Sequence, residues 1–217
     1  MKPWSLLLCV AACLTTVPAP ADTTKLSALE RSQGWRLLFD GQSLGDWRGY
    51  RESRLPHNWS LSGNFLEGRA GTALVSEDEF ADFELAFDWK VREGGHGEVY
   101  FHVGEDNPDP AETGPVMELS GHGPALGGVG GLVEQLRKIT PQFDVWYQAR
   151  IFVYGQQVEY WINGEKVQAF TLDTPEWRSA VAASRYHAFA DFARLIPGRI
   201  ALAGDGVFFR NIKVRAF

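Results

Sequence analysis

Cysteine is almost missing from this chain of 217 residues, which holds two, Cys9 and Cys13, both inside an N-terminal apolar stretch. Nothing after that stretch can form a disulfide, a thiolate metal site or a thiol nucleophile. An excess of positive charge is missing too: 21 Lys and Arg stand against 27 Asp and Glu, a formal net charge of −6. That balance lacks the electrostatic footprint of a chain that grips nucleic acid or anionic lipid. Glycine and proline, 23 and 11 residues, are too few for a disordered or collagen-like polymer. The apolar run from Trp4 to Val17 falls short of the roughly 20 helical residues a bilayer span requires. What remains describes one globular domain, unusually rich in aromatics, with eight Trp, six Tyr and 14 Phe.

Lys2, the apolar run and Ala19-Pro20-Ala21 before a polar segment read as a secretory signal peptide cut after Ala21. Residues 1–21 are then leader, 22–32 a polar N-terminal segment and 33–217 the domain. The rival reading is a lipoprotein leader, because Val10-Ala11-Ala12 precedes Cys13 with the small-residue spacing that precedes a lipid-bearing cysteine. Either leader exports the chain, to a periplasm or beyond the cell, and neither leaves a transmembrane segment in the mature protein.

The rest reads as strands and turns. From Asp82 to Val91, large apolar residues alternate with polar ones, the period of a strand with one face in a core. Glu98 to Val103 alternates as well, which predicts Val99, Phe101 and Val103 on one face and Glu98, Tyr100 and His102 on the other. Gln148–Tyr154 and Gln157–Ile162 flank Gly155 as a hairpin, and Arg150 is expected opposite Glu159 across it. Asn163-Gly164 supplies the positive φ angles of a type I′ turn for a second hairpin. Asp205-Gly206 reads as a third turn, joining Ile200–Leu202 to Val207–Val214. The one good helix signal is Thr174 to Ala183, with a capping Thr and Pro175 at the first helical position. The glycine-rich stretch Gly121 to Gly131 predicts a long loop, the kind of segment on which rigid β scaffolds place binding groups. Strands and turns at this spacing imply an all-β antiparallel sandwich or barrel.

Particular words in the sequence then carry a resemblance. Gly34-Trp35-Arg36-Leu37-Leu38-Phe39-Asp40-Gly41, Asp46-Trp47-Arg48-Gly49-Tyr50, Asp82-Phe83-Glu84-Leu85, Gln148-Ala149-Arg150-Ile151, Trp161-Ile162-Asn163-Gly164 and Phe209-Arg210-Asn211-Ile212 occur in order. Together the chain resembles the 3-keto-glycoside lyase/hydratase domain family, also called 3-keto-disaccharide hydrolases, over about residues 33–215. The resemblance implies a concanavalin-like jelly roll of two antiparallel sheets. It also implies an exported enzyme that acts on a small-molecule or oligosaccharide substrate. A carbonyl at C3 acidifies the C2 hydrogen, a base removes it, the aglycone leaves from C1, and water adds to the keto-glucal. Such chemistry needs a base, an acid and a donor at the C3 oxygen, and no nicotinamide, flavin or nucleotide cofactor.

The polar positions depart from the family pattern while the apolar and turn positions match it. The family usually has Asn-Ser-Gly at 96–98, Arg at 102, Glu at 116, Gln at 118, Asp-Asn at 121–122, Asn at 147 and Gln-Asp-His-Gly at 203–206. Glu118 and His102 are therefore the candidate bases, and His122 and Asp205 the candidate acids. His96, Glu98, Tyr100, Tyr147 and Arg210 are the candidate substrate-binding residues, Arg210 or a His serving the oxyanion. No metal site is assigned; a divalent ion on the His and Glu side chains is a secondary expectation. The alternative on the same scaffold is a noncatalytic carbohydrate-binding module.

Overall fold

Alternation of large apolar with polar residues makes two strands the spine of the protein. The computed structural model describes residues 25–120 and 126–217. In chain order they form α1 (Ala28–Ser32), β1 (Arg36–Phe39), β2 (Trp47–Gly49), β3 (Trp59–Ser62), β4 (Phe65–Gly68), β5 (Leu74–Phe80), β6 (Phe83–Val103), β7 (Val116–Ser120), β8 (Tyr147–Tyr154), β9 (Gln157–Ile162), β10 (Glu165–Thr171), α2 (Pro175–Ala182) and β11 (Gly198–Ala216). Single 3₁₀ turns at Pro110–Glu112 and Arg185–Ala188 complete them. No helix among the described residues is long and apolar enough to cross a membrane.

All strand pairings are antiparallel, and the two longest strands pair with each other along nearly their whole length. The first half of β6 and the second half of β11 belong to one layer, continued by β8, β9 and β10 on one side and by β1, β4 and β3 on the other. Their other halves belong to a second layer with β7 on one side and β5 and β2 on the other. The result is an all-β, jelly-roll sandwich in which strands change layers through bends. Phe83, Leu85, Phe87, Trp89 and Val91 from one layer meet Val99, Phe101, Met117, Leu119, Ile200 and Leu202 from the other in a single buried core. Burying each such side chain contributes about 1.5–3 kcal/mol, which a domain without disulfides depends on.

Two expectations change here. Asp82–Val91 and Glu98–Val103 are parts of one strand, and Asp205-Gly206 is no hairpin turn, because β11 runs straight through it. Both strands bend at the same place: Asp205 pairs with His96 and Val207 with Val91, so Arg92 to Gly95 bulge opposite Gly206. A Cβ on Gly95 would stand 2.9 Å from the carbonyl oxygens of Asp205 and Gly206, so only glycine permits this close crossing. The hairpins at Gly155 and Asn163-Gly164 form as expected, with Asn163 at φ 49° and Gly164 at φ 80°. The first has a tighter register than anticipated, so Arg150 faces Trp161 and pairs with Glu84, while Glu159 pairs with Lys166. The helix at Thr174 forms with its Thr cap. Within the polar N-terminal segment α1 also forms, on a capping box of Ser27 and Glu30, and Glu30 reaches Lys213.

Candidate functional site

The outward face of the second layer carries the candidate site. Residues Tyr50, Ala73, Val75, Tyr100, Val103, Val116 and Ala201 form a small apolar cluster there, apart from the main core. Beside it lies an open cavity of about 640 Å³ whose walls include Tyr50, Arg51, Glu52, His96, Glu98, Tyr100 and Asp109. That volume lies in the range of small-molecule sites.

Glu98 on β6 and Glu118 on β7 are direct cross-strand partners, so their carboxyl groups share one face. The Tyr100 phenol donates to Glu98 Oε2 at 2.8 Å. Met117 and Leu119 point into the core, which turns Glu118 outward as its strand alternation requires. Burial, and then the neighbouring Glu98 charge, push the Glu118 carboxyl above its ordinary value of 4.5. Burial and Glu98 likewise push the Tyr100 phenol well above its usual range.

The described part of the glycine-rich stretch closes this site from the free edge of β7. The Glu118 amide donates to Gly128 O at 3.1 Å, and Gly127 N donates to Glu118 O at 2.7 Å. Gly130 then turns its amide onto the Glu118 carboxyl, a hydrogen bond that partly offsets the upward shift. Arg185 and Tyr186 approach from the 3₁₀ turn after α2, with Arg185 Nη2 donating to Tyr186 Oη at 2.9 Å. The Arg185 charge is felt at Glu118, and the hydrogen bond to Tyr186 foremost, with Glu118 a smaller contributor, pushes the guanidinium pKa up. The groups on this face can therefore take up a proton, return one and stabilise a developing negative oxygen.

Of the residues expected from sequence, Glu98, Tyr100 and His96 line one cavity, with His96 exposed at its rim, and Glu118 adjoins them as the cross-strand partner of Glu98. Asp205 is also exposed near that rim, accepting from Ala70 N at 3.3 Å, where it sits in a strand bend. His122 lies outside the described residues. Three assignments fail. Tyr147 is an inward residue of β8, stacked on Trp89 at 5.2 Å, and its hydroxyl accepts from Gln142 N. Arg210 lies on the outer face of the other layer, its Nε 3.2 Å from Asp88 Oδ2 and its guanidinium 4.2 Å from the Trp146 ring.

His102 is the third. Phe101 and His102 together oppose Ile200, a bulge that leaves His102 at φ 53°. The extra residue reverses the alternation: Val103 joins the outward cluster, and His102 turns inward against Phe83 and Phe101. Its Nε2 lies 2.8 Å from Ala81 O, while its buried Nδ1 has no hydrogen-bond partner among the described residues. The carbonyl makes Nε2 the protonated nitrogen, and burial holds the ring neutral by lowering its pKa.

That arrangement predicts a pH effect on stability. Above the ordinary His value of 6.5 neither folded nor unfolded chain gains a proton. As pH falls below it, the unfolded chain takes up a proton that the folded chain refuses, and stability declines by at most about 1.4 kcal/mol per unit until the lowered folded pKa is reached. His102→Gln removes this component, so the advantage of the parent over the variant shrinks between pH 8 and pH 5 in thermal melts. A constant difference would show that the imidazole protonates in the folded protein.

Sequence reasoning missed Tyr50, Arg51, Glu52, Asp109, Arg185 and Tyr186. Tyr50 stands in the Asp46–Tyr50 motif, which carries the resemblance but no site assignment. Arg185 and Tyr186 carry no motif, and their one local signal is Ser184, which caps their turn. Among the described residues no group of three or more His, Cys, Asp or Glu side chains is arranged to hold a metal ion.

Known proteins agree with this architecture. A 3-keto-disaccharide hydrolase of Bacteroides thetaiotaomicron is 26% identical, with 90% of this chain and 82% of that protein covered. The crystal structure of a candidate glycosyl hydrolase of Parabacteroides distasonis superposes with a TM-score of 0.83 at 22% identity, covering 89% of this chain and 99% of that one. A carbohydrate-binding module, CBM66 of Bacillus subtilis, shares the fold at a TM-score of 0.53 and 14% identity, over 79% of this chain and 96% of its own. Residues 34–215, nearly the whole described chain, match one family pattern, and the protein belongs to the 3-keto-alpha-glucoside-1,2-lyase-like domain family.

Proposed function

We propose that this protein is an exported enzyme that cleaves 3-keto-glycosides by elimination and then hydrates the product. The observation that carries the reading is the Glu98 and Glu118 pair on one strand face, bordered by a phenol and a guanidinium. In the first step a Glu118 oxygen takes the proton from C2, which the C3 carbonyl has acidified. The electrons of the C2–H bond pass into an enolate on the C3 oxygen and then return to form the C1=C2 double bond as the C1–O bond breaks toward the aglycone. The leaving oxygen takes a proton from an acid at the rim, with His96 and the Tyr100–Glu98 pair nearest in the fold. Arg185 supplies positive charge for the C3 oxygen as it gains electron density. Addition of water across C1=C2 then returns a proton to C2 and gives the free 3-keto sugar. Export rests on the apolar run from Trp4 to Val17 and the small residues before Asp22.

The pair suits this work because a carboxyl with a raised pKa is a stronger base than an ordinary one. Incubation with a 3-keto-glucoside in deuterated water should release aglycone and place deuterium at C2, as read by proton NMR. An unoxidised glucoside should show neither change. Binding of the keto sugar without exchange would overturn the enzymatic reading in favour of a carbohydrate-binding module.

A further inference from the structure

The outer face of the first layer holds another cavity, of about 310 Å³, on the side of the sandwich away from Glu98. Its floor is Ala86, the short residue of β6 between Glu84 and Asp88. Ala86 is the direct partner of Arg150 on β8 and of Lys213 on β11, so a small side chain separates two long cations whose backbones stand about 10 Å apart. We propose that this cavity is a noncatalytic site for an unoxidised, uncharged sugar unit, by which the protein holds glycan on one face while the Glu98 cavity on the other stays free. The catalytic reading uses no residue of this cavity, so neither depends on the other.

Charge decides against an ionic ligand. Arg150 Nη1 pairs with Glu84 Oε1 at 2.9 Å, and its guanidinium lies 4.7 Å from the centre of the Trp161 ring. Lys213 pairs with Glu30 of α1, and Arg210, beside the cavity, pairs with Asp88. An anion that drew Arg150 or Arg210 away would weaken the pairing of a buried carboxylate, Glu84 or Asp88, which is costly. A cation would meet Arg150 and Lys213. A neutral ligand leaves every pair intact.

Hydrogen bonding then selects hydroxyl groups. Asp88 is 5% exposed, and Arg210 Nε and Asn211 Nδ2 both reach its Oδ2, at 3.2 and 2.7 Å. Both can do so because β11 bulges there, with Asn211 at φ 52°. A carboxylate accepts about four hydrogen bonds, so this one keeps capacity for donors that enter the cavity. Burial outweighs its partners and pushes the Asp88 pKa above the ordinary 3.8, so donors that replace lost water are favoured. Gln148, exposed directly across from Asp88, adds an amide that both donates and accepts. Hydroxyls answer both needs, giving to Asp88 and accepting from Gln148, Arg150 and Lys213. A ring of hydroxyls is a sugar, and its C–H face can rest on Ala86 and the edge of Trp161. A 3-keto unit brings one donor fewer, so the unoxidised form fits better. Gln148, Arg150, Trp161 and Asn211 also belong to three motifs that carry the family resemblance, and none of those three serves the Glu98 face.

The test titrates isotope-labelled protein with the methyl β-glycosides of glucose, galactose, mannose and xylose and follows side-chain amide and indole resonances by NMR. None carries the carbonyl that elimination needs, so none is consumed. At least one should shift the Gln148 amide and the Trp161 indole N–H saturably, with a Kd of about 1–10 mM for so small a site. Ala86→Leu fills the floor, and Gln148→Ala removes an amide at an exposed position. Each should weaken binding about tenfold or more, with folding checked by circular dichroism. Absence of saturable shifts with all the sugars, undiminished affinity in the folded variants, or shifts confined to the Glu98 face would overturn the proposal. Deuterium exchange with the 3-keto-glucoside decides the catalytic reading separately, because Ala86→Leu should leave it within about twofold of the parent.

Discussion

Replacing Glu118 by Gln should lower the rate of 3-keto-glycoside cleavage by about 10²- to 10⁴-fold, the usual contribution of a positioned base. The exchange keeps the side chain's size and its capacity to accept from Gly130, so the loss reflects proton transfer and not a collapsed site. Its pH behaviour is also defined. The base must be ionised to act, and burial with the Glu98 charge raises its pKa above 4.5, so the acid limb of the rate profile lies above that value. Glu98→Gln removes the neighbouring charge and should move that limb to lower pH. A Glu118→Gln rate within threefold of the parent, or an acid limb unmoved by Glu98→Gln, would place the base elsewhere.

How far the site could be read from sequence depends on which rule each residue obeyed. Glu118 was legible because β7 alternates without interruption, so Met117 and Leu119 in the core determine where Glu118 points. Glu98 and Tyr100 were legible for the same reason. His102, two positions further along the same apparent alternation, was not, because the bulge at Phe101 and His102 adds one residue to β6 opposite Ile200. A period of two carries no sign of such an insertion, and one extra residue exchanges the faces of everything beyond it. Tyr147 was misjudged by treating a departure from the family pattern as a gain of function. The local alternation of Tyr147, Ala149, Ile151 and Val153, all buried, already favoured the core.

The same contrast applies to the fold. Both halves of β6 were visible as strands, but Gly94, Gly95 and Gly97 between them show no alternation that would join the two. They instead allow two strands to bend together and cross closely, and only the partner strand reveals which of these a glycine pair does. Arg185 and Tyr186 illustrate the limit: they reach the site by tertiary packing across about seventy residues of chain, and nothing in their own neighbourhood anticipates it.

Gly130→Ala should lower stability and alter function together. Gly130 has φ 59°, a region that costs alanine energy, and an added Cβ would overlap the Tyr186 hydroxyl and approach its ring carbons to 2.8 and 2.9 Å. Destabilisation should exceed about 1 kcal/mol, because an incompatible φ and a clash act together. The functional part follows from the amide, which donates to the Glu118 carboxyl and lowers its pKa. If the loop moves away to relieve the clash, that bond is lost, the Glu118 pKa rises further, and the acid limb of the rate profile moves to higher pH. This shift is opposite to the one expected for Glu98→Gln, and simple unfolding would not produce it. Combining Gly130→Ala with Tyr186→Phe deletes the overlapping oxygen but keeps the ring carbons, so stability should recover only in part relative to Tyr186→Phe alone. Denaturant titrations of the four proteins measure that coupling, and full additivity would mean that the Gly130 loop does not rest on Tyr186.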